Sequence, residues 1–284
     1  MSSASYTEAH EQRDGLATVA IERWQQQESQ LLFDDVADEQ PVALVYNGIS
    51  YAVMMATPCQ LEAFALGFSL SEGLIADASE LYSVDIETHA NGYEVQLRIA
   101  AQRMAELKAR RRNLAGRTGC GLCGTESLAQ AIRPTSPVVS VELPSQAAIQ
   151  HAIVTMENHQ PLQNQTGALH GAGWCDLNGD IHLLCEDIGR HNALDKLIGS
   201  LSQQQVYLPN GFALISSRAS YEMVQKACSA GISTLVAVSA PTSLAIKMAS
   251  EAGLNLIGFA RPGRFIIYNR SVQPNGNPEH ADRT

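Results

Sequence analysis

The sequence predicts an α/β protein in two parts: a smaller N-terminal α+β region and a C-terminal domain with helices on both faces of a sheet. In the second half of the chain, three continuously apolar segments have the composition of buried strands and alternate with helical stretches. The strands are predicted at residues 212–215, 234–238 and 254–259, and the helices at about 219–230 and 242–252. Such alternation indicates a largely parallel sheet covered on both faces. In the first half, two strand pairs joined by Asn-Gly dipeptides predict the α+β part.

Two β-hairpins are predicted in the N-terminal region, after a mobile tail that spans residues 1–20. The first hairpin pairs residues 42–46 with residues 49–56, and the second pairs residues 82–87 with residues 93–99. An Asn-Gly dipeptide joins the strands of each pair, because these residues adopt the left-handed backbone that a tight hairpin turn requires.

A helix is predicted between the two hairpins. The TPCQ sequence at residues 57–60 has the pattern of a capping box with proline at the first helical position, and the apolar helix after it ends near Gly73. Cys59 would therefore lie in the first turn of this helix, where an inert, partly buried thiol is the expected role.

A domain boundary is predicted near the middle of the chain. A short helix at residues 125–132 stops before Pro134, and Pro134 and Pro137 flank a Thr-Ser pair that is typical of a linker. We therefore divide the chain after its tail into residues 21–136 and residues 137–284. The C-terminal domain then begins with a helix at about 145–157, strands at 168–175 and 181–185, and a helix at about 190–201.

The composition excludes several functional classes. The net charge of −10 argues against general nucleic-acid binding, which needs a basic surface. No apolar run approaches the roughly eighteen residues that would span a bilayer, and the N-terminus lacks a basic-then-apolar secretion signal. We therefore expect a cytoplasmic protein, with no membrane partner, whose six cysteines are mostly reduced thiols.

Two neighbouring cysteines form the most reactive sequence in the chain, the GCGLCG segment at residues 119–124. The glycines leave the thiols of Cys120 and Cys123 accessible to another large molecule. A pair of this kind can hold a metal, close a disulfide or pass a sulfur atom. A structural zinc site usually needs four ligands, and no second Cys-x-x-Cys pair is present, so we expect no resident metal. Arg117 and the amides that open the following helix could favour a thiolate.

A basic segment at residues 103–117 leads into this cysteine loop. It contains six lysines and arginines against one acid. Two interpretations remain open: a solvated helix face, or an arm that docks an anion or a protein partner.

Four motifs together resemble the formate dehydrogenase accessory sulfurtransferases, the FdhD family. They are the GCGLCG segment at 119–124, EDIGRHNALDK at 186–196, SSRAS at 216–220 and FARPGR at 259–264. The resemblance covers residues 40–270 in one order. It implies a C-terminal domain similar to cytidine deaminases, in three α/β/α layers.

This resemblance implies a defined activity. Members of the family accept persulfide sulfur from a cysteine desulfurase and transfer it to the molybdenum bis(guanine dinucleotide) cofactor that formate dehydrogenase needs. By motif, Cys120 is the position of the persulfide, and Cys123 is an alternative carrier or the thiol that resolves it. The alternative is a non-catalytic chaperone that holds the cofactor and the formate dehydrogenase apoprotein. A homodimer would suit a cofactor with two nucleotides.

Two strand ends are the candidate cofactor site. By resemblance, the segment Phe259-Ala260-Arg261-Pro262-Gly263-Arg264 binds the guanine-nucleotide part of the cofactor. It follows an apolar strand, and the crevice at the carboxyl ends of strands is where open α/β sheets bind ligands. Its arginines suit phosphate oxygens, although a solvated surface turn would have the same spacing. Ser217 and Arg218 end a second strand and lead into a helix whose amides and hydroxyls can hold an anion.

Two histidines are further candidates for the site. His191 follows a strand and is either a proton-transfer or cofactor-contact group or a structural residue. His170 lies where a deaminase would place its zinc ligand, but Gly173 stands where the catalytic acid is expected and no Pro-Cys-x-x-Cys follows. We therefore do not expect deaminase chemistry, whatever the fold.

Overall fold

The structure is a computed structural model that describes residues 15–114 and 135–271. Within these ranges the chain forms three sheets of two, four and six strands, with helices between and beside them. No helix in the described part of the chain is both long and apolar enough to cross a bilayer. Cys120, Cys123, and the helix predicted at 125–132 lie outside the described residues, as does the boundary at Pro134.

The four-stranded sheet contains both predicted hairpins. Its strands are β3 (Gln40–Tyr46), β4 (Ile49–Ala56), β5 (Leu81–His89) and β6 (Gly92–Ile99). The spatial order is β4-β3-β6-β5, with antiparallel hairpins at the two sides and a parallel contact between β3 and β6 in the centre. The two hairpin predictions are confirmed, with slightly longer strands.

A long hairpin precedes this sheet. Strands β1 (Leu16–Gln25) and β2 (Glu28–Ala37) pair along their whole length and form the two-stranded sheet. The predicted mobile tail is therefore wrong for residues 16–20, because β1 has β2 as a full-length partner. The sequence signal was weak because the hairpin buries few side chains, so its apolar and polar residues do not alternate with a core face.

Helix α1 (Leu61–Ser71) lies under the four-stranded sheet, and helix α2 (Ala101–Leu114) follows β6. The predicted capping box is wrong. The residue before α1 is Gln60, which has a left-handed backbone (φ 53°) and makes no side-chain cap. Thr57 is engaged elsewhere: its amide donates to the Asp187 carboxylate (3.0 Å), and its hydroxyl accepts from the Ile188 amide (3.2 Å).

The six-stranded sheet is the centre of the C-terminal region. Its order is β12-β11-β10-β9-β7-β8, and only the neighbouring pairs β9–β10 and β10–β11 are parallel. The prediction of a largely parallel sheet is thus wrong at both sides, because β7–β8 and β11–β12 are hairpins and hairpin strands must run antiparallel. The strands are β7 (His170–Asp176), β8 (Ile181–Asp187), β9 (Gly211–Ile215), β10 (Thr234–Ala237), β11 (Asn255–Arg261) and β12 (Arg264–Asn269).

Helices cover both faces of this sheet, which confirms the α/β/α layering. One face packs on helices α5, α6 and α7 through residues such as Ala213, Ile215 and Leu235, and the other packs on α3 through Phe212, Leu214 and Val236. The specific likeness to cytidine deaminases stays a prediction. The helices are α3 (Gln146–Thr155), α4 (Pro161–Thr166), α5 (Arg190–Gln203), α6 (Tyr221–Ser229) and α7 (Ser243–Ala252), with 3₁₀ turns at Ala78–Glu80, Met156–His159 and Leu208–Asn210.

Helices α1 and α5 join the N-terminal and C-terminal regions. They cross at Gly67 and Gly199, where a Cβ on Gly67 would lie 1.7 Å from the Asp195 carbonyl oxygen. Beside the crossing, the buried Lys226 ammonium contacts the Asp195 carboxylate (2.9 Å) and Glu72 (3.0 Å). The two regions therefore share one interior, and the position of the domain boundary stays a prediction.

Candidate functional site

The candidate site lies along one edge of the six-stranded sheet. Strands β8, β9, β10 and β11 run in the same direction, so their carboxyl ends meet at this edge. Three of the four sequence motifs fall there: EDIGRH after β8, SSRAS after β9, and FARPGR at the end of β11. Helices α5, α6 and α7 begin at the same edge. Open α/β sheets bind ligands at this position, and we refer to this candidate site as the ligand edge.

Backbone hydrogen bonds hold the predicted cofactor residues in one row. The Ser239 amide donates to the Ser217 carbonyl (3.4 Å), and the Phe259 amide donates to the Ser239 carbonyl (3.1 Å). Ser217 and Phe259, which lie far apart in the sequence, are therefore separated by one strand end. Sequence reasoning missed Ser239, although a polar residue shortly after the apolar strand β10 was a signal that could have found it.

The FARPGR segment is a hairpin turn. Strand β11 continues through Arg261, Pro262 and Gly263 form the turn, and β12 begins at Arg264. Gly263 has φ +81°, which suits a glycine that follows proline in a tight turn. Arg261 and Arg264 are direct cross-strand partners.

The two arginines of this turn make a concentrated positive charge. Both are exposed, and neither is within ion-pair distance of a carboxylate in the part of the chain that the structure describes. Like charges directly opposite each other on a hairpin repel. An anion between Arg261 and Arg264 would relieve this repulsion, and guanidinium groups match phosphate oxygens in geometry.

Phe259 has a strained backbone. Its φ of +48° lies in the left-handed region, which is uncommon for a residue other than glycine, and a register irregularity between Gly258 and Arg261 accompanies it. The ring is 38% exposed instead of packing into the core. Such strain is typical of functional sites. An exposed ring beside two arginines can stack on a planar base.

Gln150 of helix α3 holds this turn in place through two hydrogen bonds. The Gln150 side-chain amide donates to the Arg261 carbonyl (3.3 Å), and its oxygen accepts from the Gly263 amide (2.7 Å). One side chain thus holds both sides of the turn, and no residue of the FARPGR motif could have predicted it.

We expect Gln150→Ala to weaken binding of a guanine nucleotide about 5- to 10-fold, because the turn loses the two hydrogen bonds that orient its arginines. The site is exposed, so the urea midpoint should move little. Titration calorimetry with GDP checks the affinity, and Gln102→Ala, an exposed glutamine on α2, is the control. Unchanged GDP affinity in Gln150→Ala would contradict a binding role for this turn.

Ser217 and Arg218 complete the row at the end of β9. Ser217 is buried and its hydroxyl donates to the Arg218 carbonyl (3.1 Å), whereas the Arg218 side chain is exposed. Helix α6 follows, and its N-cap residue Ser220 makes no side-chain capping bond. Arg218 thus adds a positive charge to this edge of the sheet, whereas the Ser217 hydroxyl stabilises the local backbone.

The end of β8 and the residues that follow it contain both structural residues and candidate site residues. Asp187 is fully buried and forms an ion pair with Lys196 (2.8 Å). Glu186 accepts hydrogen bonds from the first amides of α4 (2.7 and 3.0 Å). These two acids are therefore structural. His191, in contrast, faces the edge and contacts the Glu222 carboxylate at 2.9 Å.

Three of the four thiols of the described residues are poor nucleophiles. Cys175, Cys185 and Cys228 are buried, and burial raises the pKa of each, that of Cys228 to about 12. A buried thiol with a raised pKa is seldom a thiolate. Cys59 is partly exposed, with the Lys196 ammonium 3.5 Å from its sulfur. Cys120 and Cys123 lie outside the described residues.

The fold and the edge define a class of protein: a two-region α/β protein with a positively charged ligand edge. The family model described as FdhD/NarQ matches residues 37–273. The chain is 52% identical over 252 residues to the sulfur carrier protein FdhD of Cupriavidus necator, covering 89% of this chain and 88% of that one. It is 50% identical over 248 residues to the protein of the same name from Xanthomonas oryzae, covering 87% and 88%. The chain therefore belongs to the FdhD/NarQ family.

A solved structure supports the same relationship. A protein from Desulfotalea psychrophila, provisionally described as a formate dehydrogenase accessory protein, matches with a TM-score of 0.70 at 25% identity, covering 90% of this chain and 97% of that one. The family resemblance drawn from the four motifs is confirmed. The roles of individual residues stay predictions.

Proposed function

We propose that this protein is a sulfurtransferase that accepts persulfide sulfur from a cysteine desulfurase and transfers it to the molybdenum bis(guanine dinucleotide) cofactor needed by formate dehydrogenase. The cofactor is a substrate, held through its guanine-nucleotide moieties. Cytoplasmic localisation, formate dehydrogenase as the recipient and a homodimeric state belong to the same proposal.

The observation that carries the proposal is the Arg261–Arg264 pair, two guanidinium groups at the ligand edge that have no carboxylate partner among residues 15–114 and 135–271. They offer a phosphate-binding pair beside the exposed ring of Phe259, as a guanine nucleotide requires. Relatives about half identical to this chain are named sulfur carrier proteins, which supports the transfer of sulfur. The inert character of the buried thiols leaves Cys120 and Cys123 as the main candidates for the carrier.

The proposed transfer begins when the Cys120 thiolate attacks the terminal sulfur of the desulfurase persulfide. The S–S bond of the donor breaks, the donor cysteine leaves as a thiolate, and Cys120 now carries the sulfur, with no net oxidation. The sulfur then passes to the molybdenum of the bound substrate. Where Cys123 resolves the persulfide, it attacks the Cys120 sulfur, forms a disulfide and releases hydrosulfide. Arg261 and Arg264 hold the substrate during this step.

The test is mass spectrometry of the intact protein after incubation with a cysteine desulfurase and cysteine. We expect a reductant-sensitive gain of one sulfur in the wild type, loss of that gain in Cys120→Ala and an altered yield in Cys123→Ala. Cys59→Ala is the matched control, because it removes a partly exposed thiol of the same chain and should keep the gain. Absence of the gain in every variant would refute the transferase.

The alternative function is a chaperone that holds the cofactor and formate dehydrogenase without transferring sulfur. The same ligand edge supports it, because cofactor binding needs only the arginines. Cys120→Ala separates the two: under our proposal it loses sulfur transfer and keeps GDP affinity, whereas a chaperone with Cys120→Ala would still activate formate dehydrogenase.

A further inference from the structure

A second group of polar side chains lies on the ligand edge, away from the arginine hairpin. The contact between His191 and Glu222 (2.9 Å) brings the first turns of α5 and α6 together. Arg190 precedes His191, Ser220 precedes α6, and His170 begins the neighbouring strand β7. We refer to Arg190, His191, Ser220, Glu222 and His170 as the Arg190 cluster.

Two donors of this cluster are buried and unused. The Arg190 Nε–H and the Ser220 hydroxyl are shielded from solvent, and neither has a hydrogen-bond partner among residues 15–114 and 135–271. A buried donor without an acceptor costs free energy, so such groups normally have a partner. The adjacent Asp187 has several, since it accepts from the amides of Thr57 and Gly189 and from the side chain of Asn192. The cluster therefore contains two of the buried donors that lack an acceptor in the described part of the chain.

The surroundings of these donors are electropositive. Burial, followed by the charges of Arg190 and His191, lowers the pKa of His170, whereas Asp187 opposes the shift. Lys196 pairs with Asp187, which limits that opposition. Helix α5 adds the positive end of its dipole, and its N-cap residue is Gly189, which has no side chain to cap the first amides. Glu222 is the acid of the cluster, and its carboxylate contacts His191.

We propose that the Arg190 cluster is a second anion subsite, which binds a phosphoryl group through the Arg190 guanidinium and the Ser220 hydroxyl. A phosphoryl group offers several acceptor oxygens to these donors and carries the charge that the site favours. The subsite lies after β8, four strands along the sheet from β11, which corresponds to roughly 19 Å at about 4.8 Å per strand. One elongated nucleotide with phosphates at both ends could therefore occupy both subsites. This identification of the ligand rests on the proposed function, whereas the anion subsite does not.

The probe is inorganic pyrophosphate, titrated into the full-length protein by calorimetry. We expect two sites per chain in the wild type and one in Arg190→Gln. The Arg261→Gln/Arg264→Gln double variant should also keep one site, and that site is the Arg190 cluster. Ser220→Ala should weaken the second site about 10-fold, and Glu222→Gln should tighten it several-fold by removing the opposing carboxylate. Arg98→Gln, an exposed arginine on β6, is the control and should keep two sites.

The pKa of His170 provides a local measurement beside the number of pyrophosphate sites. Bound pyrophosphate should raise the pKa of His170, measured by NMR of its ring protons, in the wild type and in the hairpin double variant. Arg190→Gln should lose this response. Absence of any site in the hairpin double variant, two sites in a folded Arg190→Gln or an unresponsive His170 would overturn the subsite. Should Arg190→Gln fail to fold, full retention of the second site in Ser220→Ala would overturn it.

The outcomes also separate this inference from the proposed function. Loss of the second site in Arg190→Gln, with normal sulfur gain at Cys120, would support both proposals. Two pyrophosphate sites in a protein that never gains sulfur would retain the subsite and refute the transferase. Sulfur gain in a protein whose hairpin double variant binds no pyrophosphate would refute the subsite and retain the transferase.

Discussion

Gly67→Ala is expected to destabilise the protein by at least about 3 kcal/mol and to prevent most of it from accumulating in folded form. The added Cβ would lie 1.7 Å from the Asp195 carbonyl oxygen and 2.7 Å from the Gly199 amide nitrogen, both of which are backbone atoms. Backbone cannot move aside as a side chain can, so α1 and α5 would have to separate by more than about 1 Å. The higher helix propensity of alanine, worth roughly 1 kcal/mol, offsets only part of this cost.

The measurement is the urea unfolding midpoint, or the soluble yield where the variant does not fold. The matched control is Gly173→Ala in β7, whose Cβ would have no neighbour closer than 3.5 Å and should leave the midpoint nearly unchanged. A midpoint for Gly67→Ala equal to that of Gly173→Ala would mean that the helices do not cross as closely as described. The reciprocal change, Gly199→Ala, places its Cβ 1.9 Å from the Ala63 carbonyl oxygen and should have a similar effect.

This crossing shows why the sequence predicted elements better than their packing. The hairpins of the N-terminal sheet were predictable because their Asn-Gly turns are local signals, and the antiparallel pairs β3–β4 and β5–β6 confirm them. Gly67 and Gly199 carry no such signal, since a glycine inside a helix looks the same whether it is tolerated or required. Only the position of a second helix, 132 residues along the chain, gives the two glycines their role.

Part of the ligand edge was also predictable from local signals in the sequence. The ends of β9 and β11 were identified because polar motifs follow apolar strands. The contact of Gln150 with the Arg261–Gly263 turn, and the buried donors of Arg190 and Ser220, were not identified. Each depends on which side chains the fold brings together. The parallel sheet was over-predicted because an apolar strand has the same composition whether its neighbour is parallel or antiparallel.

Thr57 illustrates how tertiary contacts override a local motif. Its sequence matches a capping box, yet its amide, hydroxyl and carbonyl all bind groups of the 186–196 segment. A hydroxyl can cap its own helix or bind a distant backbone amide at similar cost. The buried ion pair beside Thr57 favours the distant contacts, because the Asp187 carboxylate and the Lys196 ammonium need hydrogen-bond partners in the interior.

Lys196→Met is the second large effect, and we expect a loss of about 3–5 kcal/mol. Lys196 and Asp187 are fully buried, with 2.8 Å between the ammonium nitrogen and the carboxylate. The ammonium also donates to the carbonyls of Thr57 (3.0 Å) and Glu186 (3.2 Å). Methionine fills a similar volume but leaves the Asp187 carboxylate buried without a cation. Thr57 follows β4 and Glu186 lies in β8. Loss of the Lys196 hydrogen bonds to both should therefore weaken the contact between the N-terminal region and the ligand edge.

Equilibrium urea unfolding provides the measurement, with Lys247→Met as the control, since Lys247 is largely exposed and its contact with Glu251 (3.8 Å) should contribute less than about 0.5 kcal/mol. The double variant Asp187→Asn/Lys196→Met tests the cause. Asparagine carries no charge and can still accept from the Thr57 amide, so the double variant should be more stable than Lys196→Met alone. If the double variant were less stable by the sum of both single losses, the two residues would act independently. The cost of Lys196→Met would then come from lost packing and hydrogen bonds, and the ion pair would not be what joins the two regions.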